Sequence, residues 1–485
     1  MTKRRITFAL VVIVLLAMVA LPAAAQGYPN PGVGSTYTEL ANKTSTDATA
    51  QLTYYDTSGG MHQGPQRTIP ANGSIMIDPD SVQLPQNFQG AGVVSSNQPL
   101  ASVVKTVWTG GPGDGYQMAL YSGVSEGSSQ ICFPSLFKIP PTIYASFTVQ
   151  NTGTGPAEIK ITYFKRDGTN EGSFTDTIPA GAQHTYDLSN PGGAVPNLTA
   201  PWDGSAVVEV TNGQTVAGVG VVYQNGRTAT YNAADCAGAS GATTLVVPSQ
   251  YRMATNDGRW LLFSAINIQN LEGSTANVTL YYTPRDANVN PSKTVNITIP
   301  PYSAAGLNTR NGGDKPADFF DDLGTTWDGS VRIESDKAIV ANVITQWWRS
   351  TGKESGYYAA PDASKSQATK YFVPGIRRVK DGSTWKEFSA VIVQNLTNSS
   401  NTVKIDFYDR NGNLKLTLTD TLAGGASIGY NTKNGGSRDA ADFIPLGDNF
   451  EGHAVVTANG PIGVVLNGVS KAPNAGSGTT NGIPE

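Results

Sequence analysis

The chain has 485 residues and a formal net charge of −4, and only 14% of its residues are charged. Single hydrophobic cores stop growing beyond roughly 250 to 300 residues, so the length predicts several domains. The abundance of glycine, with 54 residues, suits short strands and many turns better than long helices. The sequence has none of the clustered lysine and arginine on which phosphate binding rests, which argues against a nucleic-acid partner.

The first 25 residues predict a secretory signal peptide. Lys3, Arg4 and Arg5 precede an apolar run at 6–20, and an A-x-A cleavage site follows at 23–25. A membrane anchor is the alternative, but the run is short and small residues follow it. Removing the segment leaves 30 of the 33 basic residues against 37 acidic ones. We expect a secreted protein, extracellular or at the cell surface, with no membrane span in the mature chain.

A pattern centred on an asparagine occurs four times, and each copy shows the two-residue period of a half-buried strand. Twelve residues after each asparagine stands an aromatic residue, with apolar residues at alternate positions before it. The asparagines are Asn42, Asn151, Asn270 and Asn395, and the aromatic residues are Tyr54, Tyr163, Tyr282 and Phe407. The spacings of 109, 119 and 125 residues are about the size of one immunoglobulin-like sandwich. Asparagine at a strand end predicts an Asx turn rather than a ligand-binding role.

Two further signals recur. In three copies a hairpin turn signal ending in glycine follows the aromatic residue, at 58–59, 167–168 and 411–412. In all four copies an aromatic-x-Gly motif precedes a pair of hydrophobic strands, which predicts a ring that closes one end of the core beside a close backbone approach. The motif begins at Phe88, Trp202, Trp327 and Phe450.

These signals predict an all-β chain of four tandem β-sandwich repeats arranged as an elongated array. The predicted segments are a signal peptide at 1–25, repeat 1 at 27–128, repeat 2 at 129–240, repeat 3 at 241–364, repeat 4 at 365–470 and a flexible tail at 471–485. Repeat 1 lacks the leading strand, with an internal proline, that opens the other three. Terminal copies of repeat arrays are often atypical in this way.

The combination of V-Q-N, an alternating strand, an aromatic pair, a D-G or N-G turn, I-P-A-G and W-x-G resembles the tandem immunoglobulin-like β-sandwich repeats of secreted bacterial surface proteins. The resemblance covers nearly all of the mature chain. It implies a fold but carries no functional residue, because such repeats serve as spacers, adhesive modules, layer subunits and sugar binders alike.

Cys132 and Cys236 are the only cysteines in the sequence. In an exported chain, where oxidation is permitted, they predict a structural disulfide that flanks the second repeat. Two free thiols, buried as small apolar residues, are the alternative.

The sequence offers little for catalysis. Its three histidines, His62, His184 and His453, occupy unrelated positions in three repeats, so no shared triad or histidine-rich metal cluster is formed. Nucleophile-elbow, H-E-x-x-H and P-loop motifs do not occur. We therefore predict a protein that is not an enzyme, while a hydrolase with a carboxylate pair between repeats stays open as a third hypothesis.

Acidic residues are densest in a loop of the third repeat. Asp314, Asp318, Asp321 and Asp322 lie there, and oxygen ligands in loops suit calcium. The spacing matches no EF-hand, so solvated loop charge is the alternative. The neighbouring Phe319 and Phe320 predict a short helical turn that packs onto the sandwich.

Aromatic residues supply the other candidate site. Trp347, Trp348, Tyr357 and Tyr358 stand on two strands of a predicted hairpin in repeat 3, where successive side chains face opposite ways. Exposed rings there could stack on sugar rings. Cross-strand aromatic packing is the structural alternative.

The leading hypothesis is a secreted, non-catalytic structural or adhesive protein of the cell surface. The alternative is a polysaccharide-binding protein that uses the aromatic hairpins. Its expected partners are the cell envelope, other surface proteins or an extracellular polysaccharide, with self-association open and calcium the one cofactor considered.

Overall fold

The computed structural model describes residues 10–12, 32–110, 116–189, 198–224, 227–237, 242–349, 352–360, 368–471 and 476–485. Almost all of the regular structure is β-strand, and every strand pairing is antiparallel. Within the described ranges, no helix has the length and apolar character to cross a membrane. The prediction of an all-β chain is confirmed.

The repeats are named here by their predicted boundaries. The first strand and repeat 1 contain β1 Leu10–Val12, β2 Gly32–Asn42, β3 Ala48–Asp56, β4 Met61–Ile69, β5 Ser74–Ile77, β6 Gly90–Ser96, β7 Leu100–Gly110 and β8 Tyr116–Ser122. Repeat 2 contains β9 Gln130–Ile139, β10 Ile143–Asn151, β11 Ala157–Lys165, β12 Asn170–Ile178, β13 Gln183–Asp187, β14 Trp202–Val210, β15 Val216–Gln224, β16 Arg227–Asn232 and β17 Ala234–Asp235.

Repeat 3 contains β18 Ala242–Ala254, β19 Trp260–Asn270, β20 Ala276–Pro284, β21 Lys293–Ile299, β22 Ala304–Asn308, β23 Gly312–Gly313, β24 Thr326–Arg349 and β25 Gly352–Ala359. Repeat 4 and the segment after it contain β26 Lys370–Asp381, β27 Thr384–Asn395, β28 Asn401–Asp409, β29 Leu414–Leu422, β30 Ser427–Asn431, β31 Gly435–Gly436, β32 Asn449–Ala458, β33 Ile462–Ser470, β34 Gly476–Asn481 and β35 Ile483–Pro484. Three short 3-10 helices are Pro79–Ser81, Asp321–Leu323 and Ala440–Leu446.

One strand order recurs along the chain. In repeat 2 it is β12-β11-β14-β9 followed by β10-β15-β16, and β9 belongs to both layers because it pairs with β14 and, at its end, with β10. The same order occurs in repeats 3 and 4 with β18 and β26 in the place of β9. In repeat 1 the layers are separate sheets, β1-β6-β3-β4 and β5-β2-β7-β8. Alternate side chains of facing strands fill each interior, as the two-residue period predicts.

The recurring asparagine ends a strand and ties down the turn after it. The Asn395 side chain accepts from Thr397 N at 3.0 Å and donates to the carbonyls of Ser399 and Ala423 at 2.7 and 2.9 Å. Asn42, Asn151 and Asn270 make equivalent bonds. The predicted Asx-turn role is confirmed.

The aromatic-x-Gly motif also behaves as predicted. Trp202 and Trp327 are fully buried at the end of their cores. The glycine after the ring has no room for a side chain, because a Cβ on Gly204 would overlap the carbonyl oxygen of Phe164, and one on Gly452 would overlap that of Tyr408. Phe320 and Phe443 are buried beside the short 3-10 helices, which confirms the predicted helical turn.

The repeats form a closed ring, and the predicted elongated array is wrong. Four strands meet at the centre, one from each of repeats 1 to 3 and one, β34, from the segment after repeat 4. There β8 contacts β16 and β34, and β25 contacts the same two strands. Thr230 Oγ1 donates to the carbonyl of Leu120 at 2.9 Å, which joins repeats 2 and 1. Ser122 Oγ donates to the carbonyl of Asn481 at 2.7 Å, which joins repeats 1 and 4.

The segment predicted as a flexible tail supplies the fourth central strand. In β34, residues 476–480 are buried, and β35 pairs with β26. Small residues are needed there because the backbones approach closely, and a Cβ on Gly478 would lie 2.6 Å from the backbone nitrogen of Leu120. The Gly, Ser and Thr composition that predicts a flexible tail therefore belongs to a packed strand. Residues 472–475 lie outside the described part of the chain.

Hairpin turns carry the contacts at the periphery of the ring. The turn of repeat 2 contacts repeat 3, where Ala304 N donates to the carbonyl of Arg166 at 2.9 Å. The turn of repeat 4 contacts repeat 1 in the same manner, with Ser74 N donating to the carbonyl of Arg410 at 3.0 Å. The turn of repeat 1 meets repeat 2, where His184 Nε2 lies 3.3 Å from the carbonyl oxygen of Thr57.

His453 makes the stability of the fold depend on pH. Its ring is buried in repeat 4 and stacks on Tyr408 with centroids 5.4 Å apart, and within the described ranges neither ring nitrogen has a hydrogen-bond partner. Burial lowers the pKa of His453 from 6.5 to about 4. The proton therefore binds the unfolded chain first, and stability present above pH 6.5 is lost as the pH falls toward 4.

We expect His453→Ser to flatten this dependence. Serine is the residue at the equivalent position of repeats 2 and 3, Ser205 and Ser330. The histidine contribution is on the order of 3 kcal/mol between pH 7 and pH 4. Urea unfolding at several pH values measures how the free energy of unfolding changes with pH. This slope is independent of any constant loss of stability that the smaller side chain causes. Equal slopes for the variant and the wild type would contradict the assignment.

Candidate functional site

The residues of the predicted aromatic site do not form one surface. Trp347 and Trp348 lie half-buried near the end of β24, and the register pairs them with Glu354 and Lys353. Tyr358 is buried in the core of repeat 3 and donates its hydroxyl to the carbonyl of Ser249 at 3.3 Å. Tyr358 is therefore a core residue rather than part of a surface site. The side chain of Tyr357 lies outside the described part of the chain.

Trp348 instead belongs to a cluster that sequence reasoning missed. Its ring packs edge-on against Phe263 with centroids 5.0 Å apart, and Phe263 packs against Trp260 at 6.0 Å. The guanidinium carbon of Arg310 lies 4.5 Å from the centroid of Trp348 and 4.8 Å from that of Phe263. Arg252 lies 5.0 Å from the centroid of Trp260. These five residues are called the repeat 3 aromatic–cation cluster.

The two arginines of this cluster differ in their partners. Arg252 donates to Asp321 at 2.5 Å and to the carbonyl of Thr309. Arg310 has no carboxylate within ion-pair distance among the described side chains, and its buried Nε has no hydrogen-bond partner. Burial lowers the pKa of Arg310 from its ordinary value, so the charge is held where an anion would be favourable. Trp260 and Trp348 are half-buried beside it.

Repeat 4 carries a counterpart at the same positions. Trp385 packs against Phe388 at 6.2 Å, and Arg378 and Lys380 lie 5.0 and 4.6 Å from the Trp385 centroid. Lys433, equivalent to Arg310, lies 5.1 Å from the centroid of Phe388. The sequence signal is W-x-x-F, at 260–263 and 385–388, which ends seven residues before the recurring asparagine. Repeats 1 and 2 lack it.

The predicted calcium residues do not converge. Asp314 pairs with Arg166 at 2.9 Å, Asp321 with Arg252 at 2.5 Å and Asp322 with Lys293 at 2.5 Å. Asp318 is exposed. Across the ranges that the structure describes, no group of three or more acidic, histidine or cysteine side chains could hold a metal ion. The acidic loop thus presents separate ion pairs, and the arrangement gives the calcium hypothesis no support.

The predicted disulfide is formed. Cys132 on β9 bonds to Cys236, which follows β17, and both residues are buried. The sulfur atoms pack against Val340 of repeat 3. This bond is the structural link that the sequence predicts.

A network of buried charge closes the ring between repeats 4 and 1. Glu39, on β2, binds Arg377 of β26 directly and lies 3.2 Å from Arg410 of the repeat 4 hairpin. Arg377 also lies 3.3 Å from Glu387, and Arg410 lies 2.7 Å from Glu451. Glu39 and Arg377 are almost fully buried, so their charges depend on the ion pairs of this network for compensation.

No family model and no curated protein sequence matches this chain. Among solved structures, Thermotoga maritima 1070 is similar to 24% of this chain over 96% of its own length, with 15% identity and a TM-score of 0.20. The Anabaena sensory rhodopsin transducer covers 22% of this chain over 91% of its own, with 16% identity and a TM-score of 0.18. Salmonella alpha-2-macroglobulin covers 95% of this chain over 39% of its own, with 9% identity and a TM-score of 0.13.

Proposed function

We propose that this chain is an exported, non-catalytic adhesive protein that attaches to acidic polysaccharide through the aromatic–cation clusters of repeats 3 and 4. The observation that supports the proposal is Arg310, a cation stacked between Phe263 and Trp348 without an acidic partner among the described residues. A carboxylate or sulfate of a sugar would supply the missing anion. The half-buried Trp260 would cover the apolar face of a sugar ring.

The placement of two clusters on one body favours adhesion. Repeats 3 and 4 are neighbours in the ring, joined by the bond from Ser330 Oγ to the carbonyl of Gly425 at 2.8 Å. A repeating polymer can engage both clusters at once, and the second contact is then favoured by the high effective concentration that the first creates. The formal charge of the mature chain is negative, so attachment depends on these local cations rather than on the overall field.

We predict that Arg310→Gln lowers retention on immobilised polygalacturonate at least tenfold, which corresponds to ~1.4 kcal/mol. The charge-assisted contact is lost while the amide keeps part of the volume. Arg332→Gln is the matched control, because Arg332 also stacks on a ring in repeat 3, Tyr281, at 5.0 Å, but pairs with Glu334 at 3.1 Å. The measurement is the fraction of protein retained on polygalacturonate beads, with cellulose as a neutral surface.

The control should bind like the wild type, and added salt should weaken binding because the contact is ionic. Wild-type protein that is retained on neither polygalacturonate nor dextran sulfate would contradict the proposal. Equal losses for the Arg310 and Arg332 variants would also contradict it, since they would indicate a general charge effect.

A further inference from the structure

Repeat 1 is a sandwich without a leading strand of its own in the mature chain. In repeats 2, 3 and 4 the leading strand lies beside the strand that follows the aromatic-x-Gly motif, with Ile131, Leu245 and Tyr371 opposite Val208, Ile333 and Val456. In repeat 1 the equivalent partner is Val12 opposite Val94. Residues 10–12 of the predicted signal segment therefore occupy this slot, and cleavage before Gln26 would remove them.

A groove lies next to the aromatic-x-Gly motif of repeat 1. The first residues of β6, at 90–93, pair with β3, and the residues after them, at 94–96, pair with both β3 and β1. The groove has a volume of about 570 Å³, and its walls include Gly32 and Val33 at the start of β2 and Phe88 of the motif. In repeats 2 and 4 the second half of the leading strand pairs with the glycine of this motif, through Leu136 and Ile376.

A buried hydroxyl in repeat 1 lacks the partner that a leading strand provides elsewhere. In repeat 3, Ser264 Oγ accepts a hydrogen bond from the backbone of Tyr251 in the leading strand at 3.2 Å. In repeat 4, Ser389 Oγ accepts one from the backbone of Arg377 at 3.0 Å. The equivalent residue of repeat 1 is Thr36, which is 4% exposed and whose hydroxyl has no hydrogen-bond partner among the described residues. Leaving a buried hydroxyl unsatisfied is costly, so the site favours a strand that donates an N–H there.

We propose that export turns repeat 1 into a strand acceptor, and that the mature chain binds an extended segment of another polypeptide antiparallel to β6. The three filled slots define the chemistry of this segment, since their leading strands read C-F-P-S-L, V-V-P-S-Q and F-V-P-G-I around a shared proline. The partner thus presents apolar residues two apart, then proline and a small residue. Main-chain hydrogen bonds supply affinity and the apolar pockets supply selectivity.

The test uses protein exported with its own N-terminal segment, whose first residue is read by mass spectrometry. The probe is a fluorescent peptide of residues 370–380, KYFVPGIRRVK, and the control peptide carries Tyr371→Asp and Val373→Asp. We expect the probe to bind in the micromolar range and the control at least tenfold more weakly by fluorescence anisotropy. Thr36→Val should weaken probe binding several-fold without lowering the unfolding midpoint, because it removes only the hydroxyl that would accept a hydrogen bond from the bound peptide.

The proposal would be overturned by an exported chain that retains residues 10–12, or by a correctly cleaved chain that does not bind the probe. It would also be overturned if the chain self-associates and its slot then excludes the probe peptide. The proposal draws on the predicted export but not on glycan attachment. Retention on polygalacturonate is measured on the same samples. The aromatic–cation clusters proposed to bind polysaccharide lie in repeats 3 and 4, so polysaccharide binding and peptide binding can fail independently of each other.

Discussion

Replacing Arg377 by methionine is expected to lower the free energy of unfolding by about 3 to 5 kcal/mol. The substitution removes the main partner of Glu39, a carboxylate that is only 4% exposed between repeats 1 and 4. Arg410 remains 3.2 Å from Glu39, but a buried charge that loses its main partner costs far more than an exposed ion pair contributes. Urea unfolding measures the loss, and small-angle X-ray scattering shows whether the ring opens between repeats 4 and 1.

Two controls separate this effect from a simple change of charge. Lys386→Met removes a lysine of the same repeat whose partner, Asp381, is exposed, and should cost under about 0.5 kcal/mol. The double variant Glu39→Leu with Arg377→Met should recover part of the stability, because apolar side chains can replace a buried ion pair. A single variant as stable as the wild type would show that the network does not hold the ring closed.

Removing the disulfide should lower the free energy of unfolding by a similar amount, and the destabilisation should be confined to repeat 2. The double variant Cys132→Ala with Cys236→Ala is expected to lose about 2 to 5 kcal/mol, because the bond closes a separation of 104 residues and so restricts the unfolded chain. Alanine is preferred to serine since both positions are buried. Hydrogen exchange should quicken in β9 and β17, with β28 and β29 of repeat 4 as the internal reference.

Reduction of the wild type should reproduce the effect of the double variant. A loss below 1 kcal/mol, or faster exchange spread evenly over all repeats, would contradict a local structural role for this bond.

Sequence patterns were sufficient for the interior of each sandwich. Alternation of apolar residues marks side chains such as Ile161 and Leu280 that face the core, and the recurring asparagine marks a turn whose bonds are local. Both signals lie within one strand or one turn. The disulfide was also predictable, since the chain offers no other pairing of cysteines.

The ring was not predictable in the same way, because its contacts join residues from different repeats. Glu39 and Arg410 are separated by 371 positions and carry no mark that distinguishes them from surface charges. Composition was misleading for β34, where glycine and threonine meet a packing requirement at the centre of the ring. The sequence did contain a signal for the aromatic–cation clusters, the repeated W-x-x-F. The adjacent Trp347 and Trp348 instead favoured a site on a different pair of strands.

Closure within a single chain changes how the assembly responds to dilution. Repeats 1 and 4 are tethered through repeats 2 and 3, so their contacts face a fixed local concentration whatever the amount of protein in solution. A ring of four separate chains would come apart as it is diluted, and its melting temperature would depend on concentration. Here the contacts from Ser122 to Asn481 and from Glu39 to Arg377 persist at any dilution. Each molecule therefore keeps its assembled form independently of how many others are present.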